Sequence, residues 1–289
     1  MAMTVQIHPF FDPQTYTYSY VVSDKGSGQA LIIDSVYDYD PASGRVSTRS
    51  ADAIVEFVER QELSVRLILE THAHADHLSA AQYLKRKLGG ETGIGRRITE
   101  VQEIFGGVFN LGAGFVSDGS QFDLLFDDGD TFEFGAHTVR VMHTPGHTPA
   151  CVTYVVNGAA FVGDTLFMPD YGTARTDFPG GDAATLYASI QKILSLPENT
   201  RLYMCHDYLA PGRNEYHCET TVALERSGNI HVHEGIAEAD FVAMREARDA
   251  DLAAPRLLLP SVQFNIRAGH FPEAEGNGTA YFKIPIRNI

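Results

Sequence analysis

Four potential metal ligands lie within six residues of this 289-residue chain. The run is Thr71-His72-Ala73-His74-Ala75-Asp76-His77, and its ligands are His72, His74, Asp76 and His77. A buried imidazole requires a hydrogen-bond partner at each desolvated nitrogen, so packing several of them together without a metal is costly. A single buried histidine is more often structural. This cluster instead predicts a loop that folds around a metal ion, and its two alanines are small enough to let the loop turn tightly.

Three further ligand-type residues stand where apolar runs end, namely His147, Asp164 and His206. Side chains that project from the ends of successive strands converge at one edge of a sheet, and this convergence brings distant residues into one site. Each of the three is a weak signal by itself. Together with the histidine cluster they predict a shared metal centre.

The pattern of apolar residues predicts an alternation of strands and helices. Strands are expected at 17–22, 30–33, 65–69, 122–126, 131–134, 138–143, 152–156, 159–162 and 202–205. Helices are expected at 51–62, 78–88 and 182–195, and a mobile, glycine-rich loop at 106–119. This order predicts two sheets packed face to face with helices outside, a mixed α/β fold of the α+β type arranged as a four-layer αββα sandwich.

The domain boundary is expected near residue 210. Residues 1–210 form the predicted catalytic domain, and residues 211–289 form a helical and strand extension packed on the same domain, with helices near 216–226 and 238–249. We expect this extension either to cap the pocket or to form the interface of a homodimer, and the sequence does not distinguish these alternatives.

The motif HxHxDH, followed by PGHT, GD and a late histidine, resembles the metallo-β-lactamase-fold superfamily over residues 5–210. The resemblance implies an αββα sandwich with a metal site at one edge. In hydrolytic members two metals are bound. The first is held by the residues that match His72, His74 and His147, the second by those that match Asp76, His77 and His206, and the residue that matches Asp164 bridges them.

The surrounding sequence resembles the persulfide dioxygenase branch of this superfamily more closely, above all in Ala174-Arg175-Thr176-Asp177-Phe178. In that branch one Fe(II) is held by the residues that match His72, His147 and Asp164, a two-histidine, one-carboxylate set that leaves coordination positions open for O₂ and substrate. We then expect the other four ligand-type residues either to support the iron ligands through hydrogen bonds or to bind a second metal ion: His74, Asp76, His77 and His206. The long tail and Met168-Pro169-Asp170-Tyr171-Gly172 resemble bacterial β-lactamase-like hydrolases of sulfide-responsive systems.

The resemblance implies oxidation of glutathione persulfide by O₂ to sulfite and glutathione, a sulfide-detoxifying reaction that uses one Fe(II) per chain. The alternative is a glyoxalase-II-like thioester hydrolase that holds two zinc ions or a mixed pair, which lower the pKa of a bound water. A third possibility from another class is a non-catalytic sulfide-sensing module that has kept the fold.

Beside the metal ligands, Asp76, His206 and Tyr208 are the predicted catalytic residues. Arg175 is the predicted partner of the glutathione carboxylate, because a guanidinium pairs with a carboxylate in a bidentate fork, and Tyr208 is a second predicted substrate contact. The alternatives are an Arg175–Asp177 ion pair and a plain half-buried tyrosine. Cys205 is expected to point away from the site if its strand alternates.

Composition excludes other classes of function. With 22 Lys and Arg against 37 Asp and Glu, the formal charge is −15, and there is no basic cluster of the kind that nucleic-acid binding requires. No apolar run approaches the roughly 18 residues that span a bilayer. The three cysteines do not form a disulfide framework, and the N-terminus resembles no signal peptide. These features predict a cytoplasmic protein with no membrane partner.

Overall fold

The computed structural model describes residues 5–112 and 114–286. Within them, strands form two six-stranded sheets and one small three-stranded sheet. The strands are β1 (Val5–Asp12), β2 (Thr17–Asp24), β3 (Gln29–Ile33), β4 (Val36–Asp40), β5 (Arg45–Ser47), β6 (Ser64–Leu69), β7 (Leu78–Ser79), β8 (Glu91–Gly95), β9 (Leu124–Phe126), β10 (Thr131–Phe134), β11 (His137–His143), β12 (Val152–Val156), β13 (Ala159–Phe161), β14 (Arg201–Tyr203) and β15 (Glu219–Thr221).

Seven helices are present in the same described residues. They are α1 (Arg49–Arg60), α2 (Ala81–Leu88), α3 (Ile98–Val108), α4 (Ala183–Leu194), α5 (Val222–Gly228), α6 (Glu238–Asp249) and α7 (Leu258–Asn265). The first sheet has the strand order β1-β2-β3-β6-β8-β9, the second runs from β10 to β15 in sequence order, and the small sheet is β5-β4-β7.

Alternation along the strands of the first sheet produces two separate apolar layers. On β3, Leu31 and Ile33 pack in a core that includes Tyr154 and Phe161 of the second sheet. Ile32, between them in sequence, packs instead with the buried residues of α1 and α2. The two large sheets therefore face one another, and helices cover the outside of the first.

The second sheet is covered in the same way by α4 and α6. Ala160 of β13 and Leu202 of β14 lie in one buried cluster with Leu186 of α4 and Phe241 of α6. Asp182 is the N-cap of α4, and its carboxylate accepts a hydrogen bond from the backbone N–H of Thr185 at 2.7 Å. The predicted four-layer αββα sandwich is confirmed.

Several predicted boundaries are wrong, and each has a local cause. The helix predicted at 78–88 begins at Ala81, because Leu78 and Ser79 pair with β4. Helix α3 extends into the region predicted as a loop at 106–119. Strand β8 escaped prediction because two of its five residues are glycines, which are rare inside strands.

The chain beyond residue 210 continues the fold. Strand β15 pairs antiparallel with β14 at the edge of the second sheet. Its residues lie inside the helix predicted at 216–226, so the helix α5 begins only after this strand. The predicted helix at 238–249 coincides with α6. Helix α7 contacts β7, directly after the histidine cluster. The extension therefore contacts the second sheet and the small sheet, next to the loop of the predicted metal site.

Across 5–112 and 114–286, the helices include none with the length and apolar character that crossing a bilayer demands.

A glutamate is buried inside the extension. Glu225 of α5 is 0% exposed, and one of its carboxyl oxygens accepts a hydrogen bond from Asn229 at 2.6 Å. Its other oxygen has no hydrogen-bond partner among the described residues. Burial, reinforced by the charge of Asp170, raises the pKa of Glu225 from 4.5 to about 8. The folded protein therefore holds this carboxyl group protonated at neutral pH.

Glu225→Gln is expected to flatten the pH dependence of stability between pH 4.5 and 8. In that window the native carboxyl keeps a proton that the unfolded chain releases, so the free energy of unfolding falls as pH rises. The rise in the pKa of Glu225 corresponds to a loss of at most about 5 kcal/mol in the free energy of unfolding across this window. Urea unfolding at both ends of the window measures it, and parallel profiles for the two proteins would contradict the assignment.

Candidate metal centre

The ligand-type side chains stand on loops at one edge of the two sheets. The histidine cluster follows β6, His147 lies between β11 and β12, Asp164 follows β13 and His206 follows β14. Two glycines bring these loops close to their neighbours. A Cβ on Gly163 would lie 2.6 Å from Thr71 Oγ1, and one on Gly146 would lie 2.3 Å from the backbone of Leu186. Both have positive φ angles that favour glycine.

His72, His147 and Asp164 form a first ligand group. Their ligand atoms lie within 4.8 Å of one another. Asp164 Oδ2 is 3.8 Å from His72 Nε2 and 3.7 Å from His147 Nε2. Two ligand atoms that each lie about 2.1 Å from one ion are at most about 4.2 Å apart. The group therefore has the dimensions of a single metal site.

His74, Asp76, His77 and His206 form a second group, again within 4.8 Å. His206 Nε2 lies 3.3 Å from Asp76 Oδ2 and 3.4 Å from Asp164 Oδ1. The carboxylate of Asp164 thus presents one oxygen to each group. The structure brings together all seven residues that the sequence predicted as ligands or their supports.

In the first group, hydrogen bonds fix the far side of both imidazole rings. His147 Nδ1 donates to the carbonyl oxygen of Arg175 at 2.8 Å. His72 Nδ1 lies 3.0 Å from Thr71 Oγ1, which itself donates to Asp34. These partners place the ring proton on Nδ1 and leave the Nε2 lone pair directed into the site.

The second group is oriented by β2 and the turn before it. His206 Nδ1 lies 3.3 Å from the carbonyl oxygen of Tyr16 and 3.3 Å from Thr17 Oγ1. His77 Nδ1 lies 3.4 Å from the same hydroxyl and from a carboxyl oxygen of Asp76. In both rings the Nε2 atom is buried and has no hydrogen-bond partner among the described residues.

His74 is oriented in the opposite sense by two buried carboxylates. Its Nε2 atom lies 3.1 Å from Asp34 Oδ1 and 3.1 Å from Glu70 Oε2. Burial alone would favour the neutral ring, but these two carboxylates raise the pKa of His74 well above its usual value. Its Nδ1 atom is left for the site. Asp34 therefore braces the ligand loop through His74 and Thr71.

Unpaired polar atoms test whether these residues suit a metal. His72 Nε2, His74 Nδ1, His77 Nε2, His206 Nε2 and Asp164 Oδ1 are all buried and have no hydrogen-bond partner among the described residues. Orphaned buried polar atoms are costly and rare. Five of them on residues of the two ligand groups, all of types that bind zinc or iron, identify a metal-binding cluster.

The predicted substrate residues lie at the cavity above these ligands. Tyr208 stacks on His206 at 5.4 Å between ring centroids, and burial with the carboxylates of Asp76 and Asp164 raises its pKa well above the usual value. The guanidinium of Arg175 forms two 2.6 Å hydrogen bonds with Asp177, the structural ion pair considered as the alternative. Its role in binding substrate stays a prediction.

Cys205 departs from its predicted orientation. Its thiol lies within 4.8 Å of the ligand atoms of Asp164 and His206, rather than on the opposite face. Strand β14 ends at Tyr203, so the alternation of a strand does not continue to residue 205. Burial, with the charge of Asp34 next in effect, raises the pKa of this thiol well above its usual value, so Cys205 remains protonated.

Asn265, at the end of α7, was missed by the sequence analysis. Its side-chain nitrogen donates to the carbonyl oxygens of His74 and His77, both at 2.8 Å, and its oxygen accepts from the N–H of Ser79 at 2.8 Å. An asparagine far from any motif gives no ligand signal. Its position shows that the extension holds the backbone of the metal-binding loop.

Asn265→Ala is expected to lower the stability by about 2 kcal/mol, because it leaves buried backbone groups unpaired, and to weaken metal binding about ten-fold or more, as loss of supporting contacts does. Gln263→Ala is the matched control. Gln263 also forms three hydrogen bonds from α7, but they join Leu259 and Lys283 in the tail. Metal titration and urea unfolding of both variants measure the two effects. Equal metal affinity in the two variants would contradict the role of Asn265.

The chain matches the family model of the metallo-beta-lactamase superfamily over residues 12–206 and belongs to that superfamily. It is 60% identical to a protein of Burkholderia pseudomallei that carries a metallo-hydrolase name, over 99% of this chain and all of that one. It is 46% identical to a Dictyostelium discoideum protein named glyoxylase B2, over 100% of this chain and 99% of that one.

The persulfide dioxygenase branch is also represented. The persulfide dioxygenase ETHE1 of Homo sapiens is 30% identical, over 92% of this chain and 89% of that one. The crystal structure of ETHE1 from Myxococcus xanthus superposes with a TM-score of 0.72 at 27% identity, over 92% of this chain and all of that one. The relatives thus carry both dioxygenase and hydrolase names.

Proposed function

We propose that this protein is an iron-dependent persulfide dioxygenase that oxidises glutathione persulfide to sulfite and glutathione. The separation of the ligands into two groups is the observation that carries the proposal. The ligand atom of His74, which the hydrolytic pattern assigns to the first metal, groups with those of Asp76, His77 and His206, although its ring lies 4.1 Å from the rings of both His72 and His77. The first group is then two imidazoles and one carboxylate, the donor set typical of oxygen-activating Fe(II) sites.

His72, His147 and Asp164 would hold the iron, and the bound iron would supply O₂ activation. The reaction consumes one O₂ and one water per persulfide. The terminal sulfur loses four electrons as it becomes sulfite, and O₂ gains these four electrons. In this assignment His74 and His77 support the ligand loop through the hydrogen bonds described above. The similarity to persulfide dioxygenases over 92% of the chain supports the same function.

Tyr208 and Arg175 have complementary tasks under this proposal. The raised pKa of Tyr208 keeps its hydroxyl protonated, so it donates a hydrogen bond to the bound sulfur or to an oxygen acquired by it. The backbone carbonyl of Arg175 orients His147. The side chain of Arg175 stacks over Phe178 at 5.0 Å and forms one rim of the cavity.

The second candidate function is a two-metal thioester hydrolase of the glyoxalase II type. Its specific support is the carboxylate of Asp164, which presents one oxygen to each ligand group. The glyoxylase name of the Dictyostelium relative favours the same class. In such an enzyme the second group would bind an ion, and a water between the two metals would lose its proton near neutral pH.

Metal stoichiometry separates the two functions. The protein, purified without metal and loaded anaerobically with excess Fe(II), is expected to retain one iron per chain after desalting. Elemental analysis measures this value. Retention of two ions per chain, with hydrolysis of S-lactoylglutathione by the zinc-loaded protein, would favour the hydrolase instead.

A further inference from the structure

The cavity above the metal centre has a wall that belongs to the C-terminal extension. Its volume is about 400 Å³, within the range of small-molecule sites. Asp76, His147 and Asp164 line this cavity. The extension contributes three arginines to the same cavity, Arg245, Arg248 and Arg256. Arginines of the extension and residues of the metal centre therefore line one cavity.

Two arginines at this cavity already have carboxylate partners. Arg175 forms two hydrogen bonds with Asp177 and a third, at 2.7 Å, with the carbonyl oxygen of Ala253. Arg245 is buried and forms hydrogen bonds of 2.9 and 2.6 Å with Asp249. A further hydrogen bond of 3.1 Å joins Arg245 to the carbonyl oxygen of Thr173. Both guanidinium groups are thus neutralised by carboxylates and join the extension to the segment 173–177.

Arg248, on the last turn of α6, is different. In the chain from 5 to 112 and from 114 to 286, its guanidinium forms no hydrogen bond or ion pair, although it lines the cavity and is exposed. Arg256 also has no such partner in that part of the chain, but its charge acts on Asp40, which does not line this cavity. The charge of Arg248 acts instead on Tyr171 and His231, which both line it. Burial, together with the charges of Arg245 and Arg248, lowers the pKa of the neighbouring His231 to about 4. His231 is thus neutral, and the charge of Arg248 is left for a ligand.

We infer that Arg248 forms a subsite for a carboxylate group of the substrate, and that the cavity selects a small acidic thiol compound. This inference rests on the proposed function for the identity of the reacting sulfur. It assigns the carboxylate contact to Arg248 rather than to the side chain of Arg175, whose donors face Asp177 and the extension. A guanidinium suits this task because it binds a carboxylate through two parallel hydrogen bonds.

Glutathione, the product of both candidate reactions, is the probe, so binding is measured without turnover. Isothermal titration calorimetry of the full metal-loaded chain compares glutathione with its diethyl ester, which lacks both carboxylates. Arg248→Gln is expected to weaken glutathione binding about ten-fold or more, the usual effect of losing a charged hydrogen bond. Binding of the ester is expected to stay the same in the variant and the parent protein.

Arg66→Gln is the matched control, because Arg66 is an exposed arginine of β6 that does not line the cavity. It removes the same charge and is expected to leave both affinities unchanged. Equal weakening of glutathione and ester by Arg248→Gln, no weakening, or no glutathione binding by the parent protein would overturn the subsite. Failure of the dioxygenase assay alone would overturn only the proposed reaction, since the binding measurement does not depend on it.

Discussion

His147→Ala is expected to abolish iron retention and to lower activity more than about 100-fold. His147 supplies one of three ligands in the first group. Loss of a residue that merely supports a ligand typically costs about 10- to 100-fold, and loss of a direct ligand exceeds this. Elemental analysis of the desalted protein and assay of the same sample measure both effects.

His143→Ala is the control for this substitution. His143 lies four residues earlier in the chain, and its ring bonds to the carbonyl oxygen of Pro149 outside both ligand groups. It is expected to keep its iron. Retention of stoichiometric iron by His147→Ala would contradict the assignment of the first group.

Asp34→Ala has the second large expected effect, a loss of about 3–5 kcal/mol in the free energy of unfolding. The carboxylate of Asp34 is 2% exposed and accepts hydrogen bonds from the N–H of Thr71 at 2.7 Å and from its hydroxyl at 2.9 Å. It also holds His74. Alanine would leave these groups unpaired and would occupy a backbone position with φ of +52°. Urea unfolding of the metal-free protein measures the loss.

Asp34→Asn separates the backbone effect from the effect of charge. Asparagine tolerates positive φ angles and still accepts a hydrogen bond from Thr71, but it removes the negative charge beside His74. We expect it to lose less stability than the alanine variant while weakening metal binding. Equal losses of stability in the two variants would contradict this separation of the backbone effect from the effect of charge.

The ligand set could be predicted from sequence because its residues are close together or stand at strand ends. His72 to His77 occupy a single loop, and His147, Asp164 and His206 each follow an apolar run. Such short-range signals can be recognised in the sequence without knowledge of tertiary contacts. The layered fold could be predicted for the same reason, since alternation along strands such as β3 is visible in the sequence.

Contacts between distant segments could not be predicted. Asn265 reaches a loop that lies almost two hundred residues earlier, and nothing local marks it as a support for His74 and His77. The partner of the Arg175 side chain depends on where Asp177 and the extension fold. Cys205 was misplaced because the last residue of β14 could not be located from its pattern.

Oxygen consumption tests the central claim most directly. The protein is loaded anaerobically with Fe(II), glutathione persulfide is added in air-saturated buffer, and an oxygen electrode is read while sulfite is assayed. The proposed function predicts rapid uptake with one sulfite formed per O₂ consumed, and loss of this uptake in His147→Ala. No uptake by iron-loaded protein, with thioester hydrolysis by zinc-loaded protein, would contradict it.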